Sequence, residues 1–269
     1  MATKNKSFSL SIFYKNLKKG LKIFKKTKTT IIAIPLLILL NISCITCSTK
    51  NITNKINISK YSFAFVGVFF EKNPSCEDLD EECKKTTPEL SASGIVVAKN
   101  NNVSYIATAE HVCKNPLVLK ALEKNISVIF SITDFYGNKY YGKPIFTHKT
   151  HDLCLVKIFD NKKLLKVAKI ANKPPEYGEK IYSLAAPLST FDKETLPQYE
   201  GYFSGKLEIG GIESDLYSLP ATYGSSGAPV FNEDGKLIGI IHSVTKNFHH
   251  LTLSVPWEIL NELKDIIEG

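Results

Sequence analysis

Residues 223–243 read YGSSGAPVFNEDGKLIGIIHS, and this stretch decides the fold. Gly224 and Gly227 flank a serine pair, and glycine reaches backbone angles that other residues resist, so a tight turn is expected around Ser226. Ala228 to Phe231 then form a short apolar run. Asn232-Glu233-Asp234-Gly235 supplies turn chemistry, and Lys236 to Val244 form a second run. Two apolar runs joined by such a cluster read as a β-hairpin.

The same punctuation recurs on either side. Short apolar or alternating runs fall at 63–70, 93–98, 103–109, 126–132, 153–159, 180–186, 201–209 and 251–255. Turn-formers separate them, among them Asn100-Asn101-Asn102 and Tyr136-Gly137-Asn138. Many short strands at this spacing predict an all-β sandwich or barrel. After Pro256-Trp257, the residues Ile259, Leu260, Leu263, Ile266 and Ile267 recur at three- and four-residue spacing, which predicts a closing helix.

The 269 residues carry a formal charge of +8, yet no acidic residue precedes Glu71. Twelve of the 34 basic residues lie at or before Lys60, all of them lysine; the other 22 face all 26 acidic residues, so the remainder carries −4. The basicity belongs to the N-terminal segment, and a nucleic-acid groove is not expected.

Residues 1–30 are Lys-rich, and residues 31–47, IIAIPLLILLNISCITC, carry no charge. A hydrophobic helix at 31–47 is expected to act as a single-pass membrane anchor, with the basic flank in the cytoplasm. Two alternatives are a secretory signal and a lipoprotein signal acylated at Cys44 or Cys47. Each places the rest of the chain outside the cytoplasm, periplasmic or extracellular. Residues 48–60 read as a polar linker.

Four cysteines follow. Cys76 and Cys83 bracket EDLDEE and are disulfide candidates. Cys113 and Cys154 either pair or serve as small buried hydrophobes, and the second reading is favoured. His249 and His250 read as loop histidines, and no metal-ligand spacing or cofactor motif stands out.

Three segments carry chemistry. YIATAEHV ends a strand near His111, THDLCLVKI opens one at Asp152, and GSSGAP holds Ser226. A serine hydroxyl needs a base to take its proton, an imidazole serves as that base, and a carboxylate fixes the imidazole's tautomer. Together and in this order, the segments resemble the histidine, aspartate and serine motifs of trypsin-like serine peptidases. The closing LSVPWEILNEL resembles the end of the protease domain in the HtrA-like branch.

The resemblance spans 61–269 and implies two six-stranded antiparallel β-barrels, about 61–165 and 166–255, with a C-terminal helix at 256–268. It implies catalysis by His111, Asp152 and Ser226, an oxyanion hole at the N–H groups of Gly224 and Ser226, and protein or peptide substrates. It also implies a specificity pocket at Pro220, Ala221, Tyr223, His242 and Ser243, without a charged residue. Small or medium apolar side chains are expected there. His242 raises a Glu or Gln alternative, although it falls one position from where such a histidine is expected. Three residues depart from the family pattern: Glu110 and Ala228 replace an alanine and a glycine, and Ser225 replaces the aspartate that binds a freed N-terminus. With Gly269 last, no PDZ domain is expected to follow. The rival reading is a catalytically silent scaffold on the same fold.

Overall fold

The computed structural model describes residues 58–71, 89–161, 164–245 and 247–268. The expected basic segment, the anchor at 31–47 and the Cys76–Cys83 pair lie outside these residues. Among the described residues, no helix is long and apolar enough to cross a membrane.

Twelve strands close into two antiparallel barrels. The first contains β1 (Phe63–Glu71), β2 (Leu90–Asn100), β3 (Val103–Thr108), β4 (Ser127–Asp134), β5 (Lys139–Thr147) and β6 (Cys154–Phe159), in the order β1-β2-β3-β6-β5-β4. The second contains β7 (Lys180–Leu184), β8 (Gln198–Ile209), β9 (Ile212–Tyr217), β10 (Pro229–Asn232), β11 (Leu237–Val244) and β12 (Thr252–Val255), in the order β10-β11-β12-β9-β8-β7. Closure leaves neither sheet an open edge. The described residues of both barrels belong to one unit.

The continuous apolar runs follow from burial on both faces. In β6, Cys154, Val156 and Ile158 point into the first barrel, while Leu155 joins a second core with Leu184, Phe231 and Ile240 from the other barrel. Successive side chains alternate faces, so a strand between two cores carries apolar residues on both, and in β6 the polar Lys157 is exposed. The third core, inside the second barrel, holds Ile181, Tyr217 and Val230.

Three α-helices are found among the described residues of this unit. The short α1 (Glu110–Cys113) follows β3 directly, and α2 (Pro116–Glu123) begins beyond Asn115, whose side chain accepts from Leu117 N–H at 3.0 Å. Pro116 costs nothing at that first position because its missing donor would be unpaired anyway. The expected closing helix is α3 (Trp257–Glu268), and it buries Ile259, Leu260 and Leu263 against the inter-barrel core. Each such side chain stabilises by about 1.5–3 kcal/mol when fully buried.

A disulfide joins Cys113 to Cys154, so the expectation that both remain buried thiols is corrected. Pairing depends on Cα atoms coming within reach, here 6.5 Å, and barrel closure supplies that proximity across 41 residues.

Candidate active site

The chemistry-bearing residues sit at the ends of strands, in the crevice between the barrels. β3 runs into α1, which places His111 in the first turn of that helix, and Asp152 lies two residues before β6. Both belong to the first barrel; Ser226, just before β10, belongs to the second.

Those three residues meet. His111 N–H donates to Asp152 Oδ1 at 2.9 Å, and its ring Nδ1 lies 2.7 Å from Asp152 Oδ2. Its Nε2 lies 2.8 Å from Ser226 Oγ. Burial pushes the Asp152 carboxyl up, but the hydrogen bonds and charge of His111 outweigh it and hold the group below its usual range. An ionised carboxylate facing Nδ1 favours the tautomer whose Nε2 is free to accept a proton.

The turn around Ser226 is fixed by its backbone. Gly224 has φ +90° and Gly227 has φ +82°, in the left-handed region that favours glycine. A Cβ on Gly224 would meet Ala186 O at 2.5 Å, and one on Gly227 would meet Ser93 O at 2.1 Å. Leu188 N–H donates to Tyr223 O at 2.6 Å, and Ala228 N–H donates to Ser225 O at 2.9 Å. Carbonyls tied back on this side leave the N–H groups of Gly224 and Ser226 with no acceptor among the described residues.

The departures from the family pattern are accommodated locally. Ser225 is buried, and its hydroxyl accepts from Thr222 N–H at 3.2 Å, so the turn satisfies it from within. Glu110 pairs with Lys114 at 2.6 Å, and Ala228 is fully buried in the second barrel's core.

A cavity of about 420 Å³ opens beside Ser226. Ala221, Tyr223, His242 and Ser243 line it as expected, whereas Pro220 does not. The chain after β11 supplies Thr245, Asn247 and His249 in its place. No Asp, Glu or Lys is among the described residues that line it.

His242 reaches the cavity through a backbone irregularity. The register of β11 against β12 shifts between Ile241 and Ser243, with Ile241 opposite Ser254 and Ser243 opposite Leu253. A bulge inserts one residue and re-aims the side chains around it, and both Ile241 and His242 line the cavity. The His242 ring nitrogens lie 3.2 Å from Ser214 Oγ and 3.0 Å from Ser243 Oγ. Burial lowers its pKa; the Asp152 charge opposes that shift, and His111 and His151 add to it.

A second cleft, about 610 Å³, runs along the other side of His111. Leu119 on α2 and Ile209 and Ile212 around the β8–β9 turn line it, and all three are exposed. Neither this cleft nor Thr245, Asn247 and His249 were legible as site residues. For the cleft, the sequence signal is apolar residues beside turns. Among the described residues no His, Cys, Asp and Glu cluster could hold a metal ion.

A sequence model described as the trypsin-like peptidase domain matches residues 92–240, more than half of the chain. The chain belongs to the trypsin-like peptidase domain family. It is 26% identical over 175 residues to the "Serine protease Do-like HtrA" of Bacillus subtilis, which covers 59% of this chain and 34% of that protein. Over 212 residues it is 26% identical to the "Serine protease HtrA-like" of Staphylococcus aureus, covering 73% of this chain and 26% of that protein. The chain thus spans about a third and about a quarter of these relatives' lengths. Among solved structures it is similar to the serine endoprotease from Yersinia pestis, with TM-score 0.57 and 15% identity over 79% of this chain and 64% of that one. At that identity the likeness bears on the fold alone.

Proposed function

We propose that this chain is a serine endopeptidase with Ser226 as nucleophile, His111 as general base and acid, and Asp152 as the group that orients and stabilises the imidazole. The observation that carries the reading is one imidazole with its two nitrogens 2.7 Å from a carboxylate and 2.8 Å from a hydroxyl.

As Ser226 Oγ attacks the substrate carbonyl carbon, its proton passes to His111 Nε2. The oxyanion that forms is held by the N–H groups of Gly224 and Ser226, preorganised donors that contribute several kcal/mol of transition-state stabilisation. The C–N bond then breaks, and His111 returns the proton to the departing amine. Water repeats the sequence on the acyl-enzyme, with His111 again taking and returning a proton. The 420 Å³ cavity, with no Asp, Glu or Lys among the described residues that line it, supports small or medium apolar residues before the scissile bond.

We place the enzyme outside the cytoplasm, tethered by residues 31–47. Two features support this: the uncharged run after a lysine-rich flank, and a Cys113–Cys154 disulfide, which persists in oxidising compartments.

The test is labelling of the full chain with a fluorophosphonate, alongside Ser226→Ala. Labelling of the wild type and none of the variant is expected. A folded wild type that stays unlabelled and leaves a mixed peptide library uncut defeats the reading.

A further inference from the structure

Four consecutive carbonyls line the back of the nucleophile turn. Leu188 N–H holds Tyr223 O, and Ala228 N–H holds Ser225 O. The remaining two are both held by one residue of the opposite barrel. Ser93 donates its hydroxyl to Gly224 O at 2.9 Å and its N–H to Ser226 O at 2.8 Å.

The same hydroxyl accepts from Ala186 N–H at 3.0 Å, on the segment that carries Leu188. Ser93 O in turn accepts from Thr108 Oγ1 at 2.8 Å, three residues before His111. Both Ser93 and Thr108 are 0% exposed, so these bonds form without competing water. Ser93, on β2, therefore touches the turn that bears the nucleophile, the segment beside it, and the strand that leads to the base.

The direction of these bonds is fixed. An N–H can only donate, so the Ser93 oxygen must accept from Ala186, and its single proton is committed to Gly224 O. Ser225 N–H, at the other end of the same peptide group, donates to Thr222 O at 2.9 Å. A planar peptide held at both ends cannot rotate, which fixes the directions of Gly224 O and Ser225 N–H. The preceding peptide has its carbonyl on Leu188, so its N–H, that of Gly224, faces the opposite way.

We propose that the Ser93 hydroxyl is a positioning residue for the oxyanion hole: by holding Gly224 O and, through Ala186 N–H, the segment whose Leu188 N–H holds Tyr223 O, it keeps the peptide with the Gly224 N–H aimed at the developing oxyanion. The proposal rests on the serine-peptidase reading and adds a determinant from the other barrel. Without the hydroxyl, Gly224 O and Ala186 N–H are left unpaired in a dry site. Ala186 lies on the segment whose Leu188 N–H holds Tyr223 O, the carbonyl of the peptide that contains the Gly224 N–H, so release of that segment lets the 223–224 peptide turn and carries the donor out of line.

The test compares the full-length wild type with Ser93→Ala, Ser93→Thr and Ser93→Val. Rates are expressed per Ser226 titrated to completion by fluorophosphonate, so misfolded molecules do not count. For Ser93→Ala, kcat is expected to fall about tenfold to a hundredfold with KM within about threefold of wild type. The inhibition constant of a peptide boronate, which mimics the tetrahedral species, should rise by the same factor as kcat/KM falls. Thr and Val have the same shape, so Ser93→Thr should retain kcat and Ser93→Val should lose it; this pair decides the matter if the alanine chain does not fold.

A kcat per site in Ser93→Ala within about twofold of wild type overturns the proposal, as does a Val chain as active as the Thr chain. A wild type that never labels at Ser226 fails earlier, by defeating the peptidase reading itself. A labelled wild type with an unaffected alanine variant defeats this inference alone.

Discussion

Cys113, two residues beyond His111, is bonded to Cys154, two residues beyond Asp152. The link ties the segment of His111 to the segment of Asp152. Its 41-residue separation corresponds to about 4 kcal/mol of unfolded-state entropy in the chain-closure description. The Cys113→Ala/Cys154→Ala chain should therefore unfold with a stability lower by about 2–4 kcal/mol in urea titrations. Its fluorophosphonate labelling should also slow, because the His111–Asp152 alignment loses its brace.

Asp152 holds the imidazole through two hydrogen bonds, one to the backbone N–H and one to Nδ1. Asp152→Asn keeps the shape but presents an amide where a charge stood, and it favours the tautomer with a protonated Nε2. The expected loss in kcat is roughly ten-thousandfold near neutral pH, the size of effect known when this role is removed from a triad. Peptide hydrolysis by the variant between pH 6 and 9 measures it.

The cavity beside Ser226 offers no carboxylate among its described lining residues. A buried lysine or arginine side chain would meet no counter-charge there. Peptides with Lys or Arg before the scissile bond should be cut at least about a hundredfold more slowly than those with Ala, Val or Leu. Cleavage of a matched peptide series by the full chain checks this.

Asp215 on β9 is 0% exposed, and its Oδ1 has no hydrogen-bond partner among the described residues. Burial pushes its carboxyl up to about 7. Nearby Glu258 adds to that push, while Lys206, the Tyr217 hydroxyl and the Trp257 N–H offset part of it. A raised carboxyl binds its proton more tightly folded than unfolded. Its contribution to stability is thus complete below about pH 4 and lost as pH rises through about 7, up to about 4 kcal/mol in all. Thermal melts at about pH 4 and about pH 8 should show Asp215→Asn gaining stability over wild type at the higher pH, with little difference at the lower.

Gly227 combines φ +82° with a site where a Cβ would lie 2.1 Å from Ser93 O and 2.3 Å from Thr108 Oγ1. Gly227→Ala must move backbone from both barrels. We expect a loss of at least about 3 kcal/mol by urea titration, or no soluble chain.

Much of this architecture was legible because most strands are buried on at least one face. The runs at 63–70, 153–159 and 236–244 each became a strand. Two strands escaped notice for physical reasons. β5 is largely exposed and contains Pro144, so its apolar residues do not alternate cleanly. β9 carries Glu213 and the buried Asp215, which reads as a turn until the cluster around α3 is known. The helix α2 shows Leu117, Leu119 and Leu122 to solvent, against the usual pattern.

The candidate site was legible to the extent that chemistry restricts residue type. His111, Asp152 and Ser226 have few substitutes, and their order marks the family. The cavity walls carry no such restriction. Thr245, Asn247 and His249 line the cavity where Pro220 was expected, and His242 sits at a bulge that only strand pairing reveals.

His111 and Asp152 come from one closed barrel and Ser226 from the other, with a separate apolar core between them. Each barrel keeps its own interior when that middle layer loosens. Mild denaturant or partial α3 fraying should thus yield a chain with full β-sheet circular dichroism and no turnover. Enzymatic silence would then report the parting of two intact halves, well before either half melts.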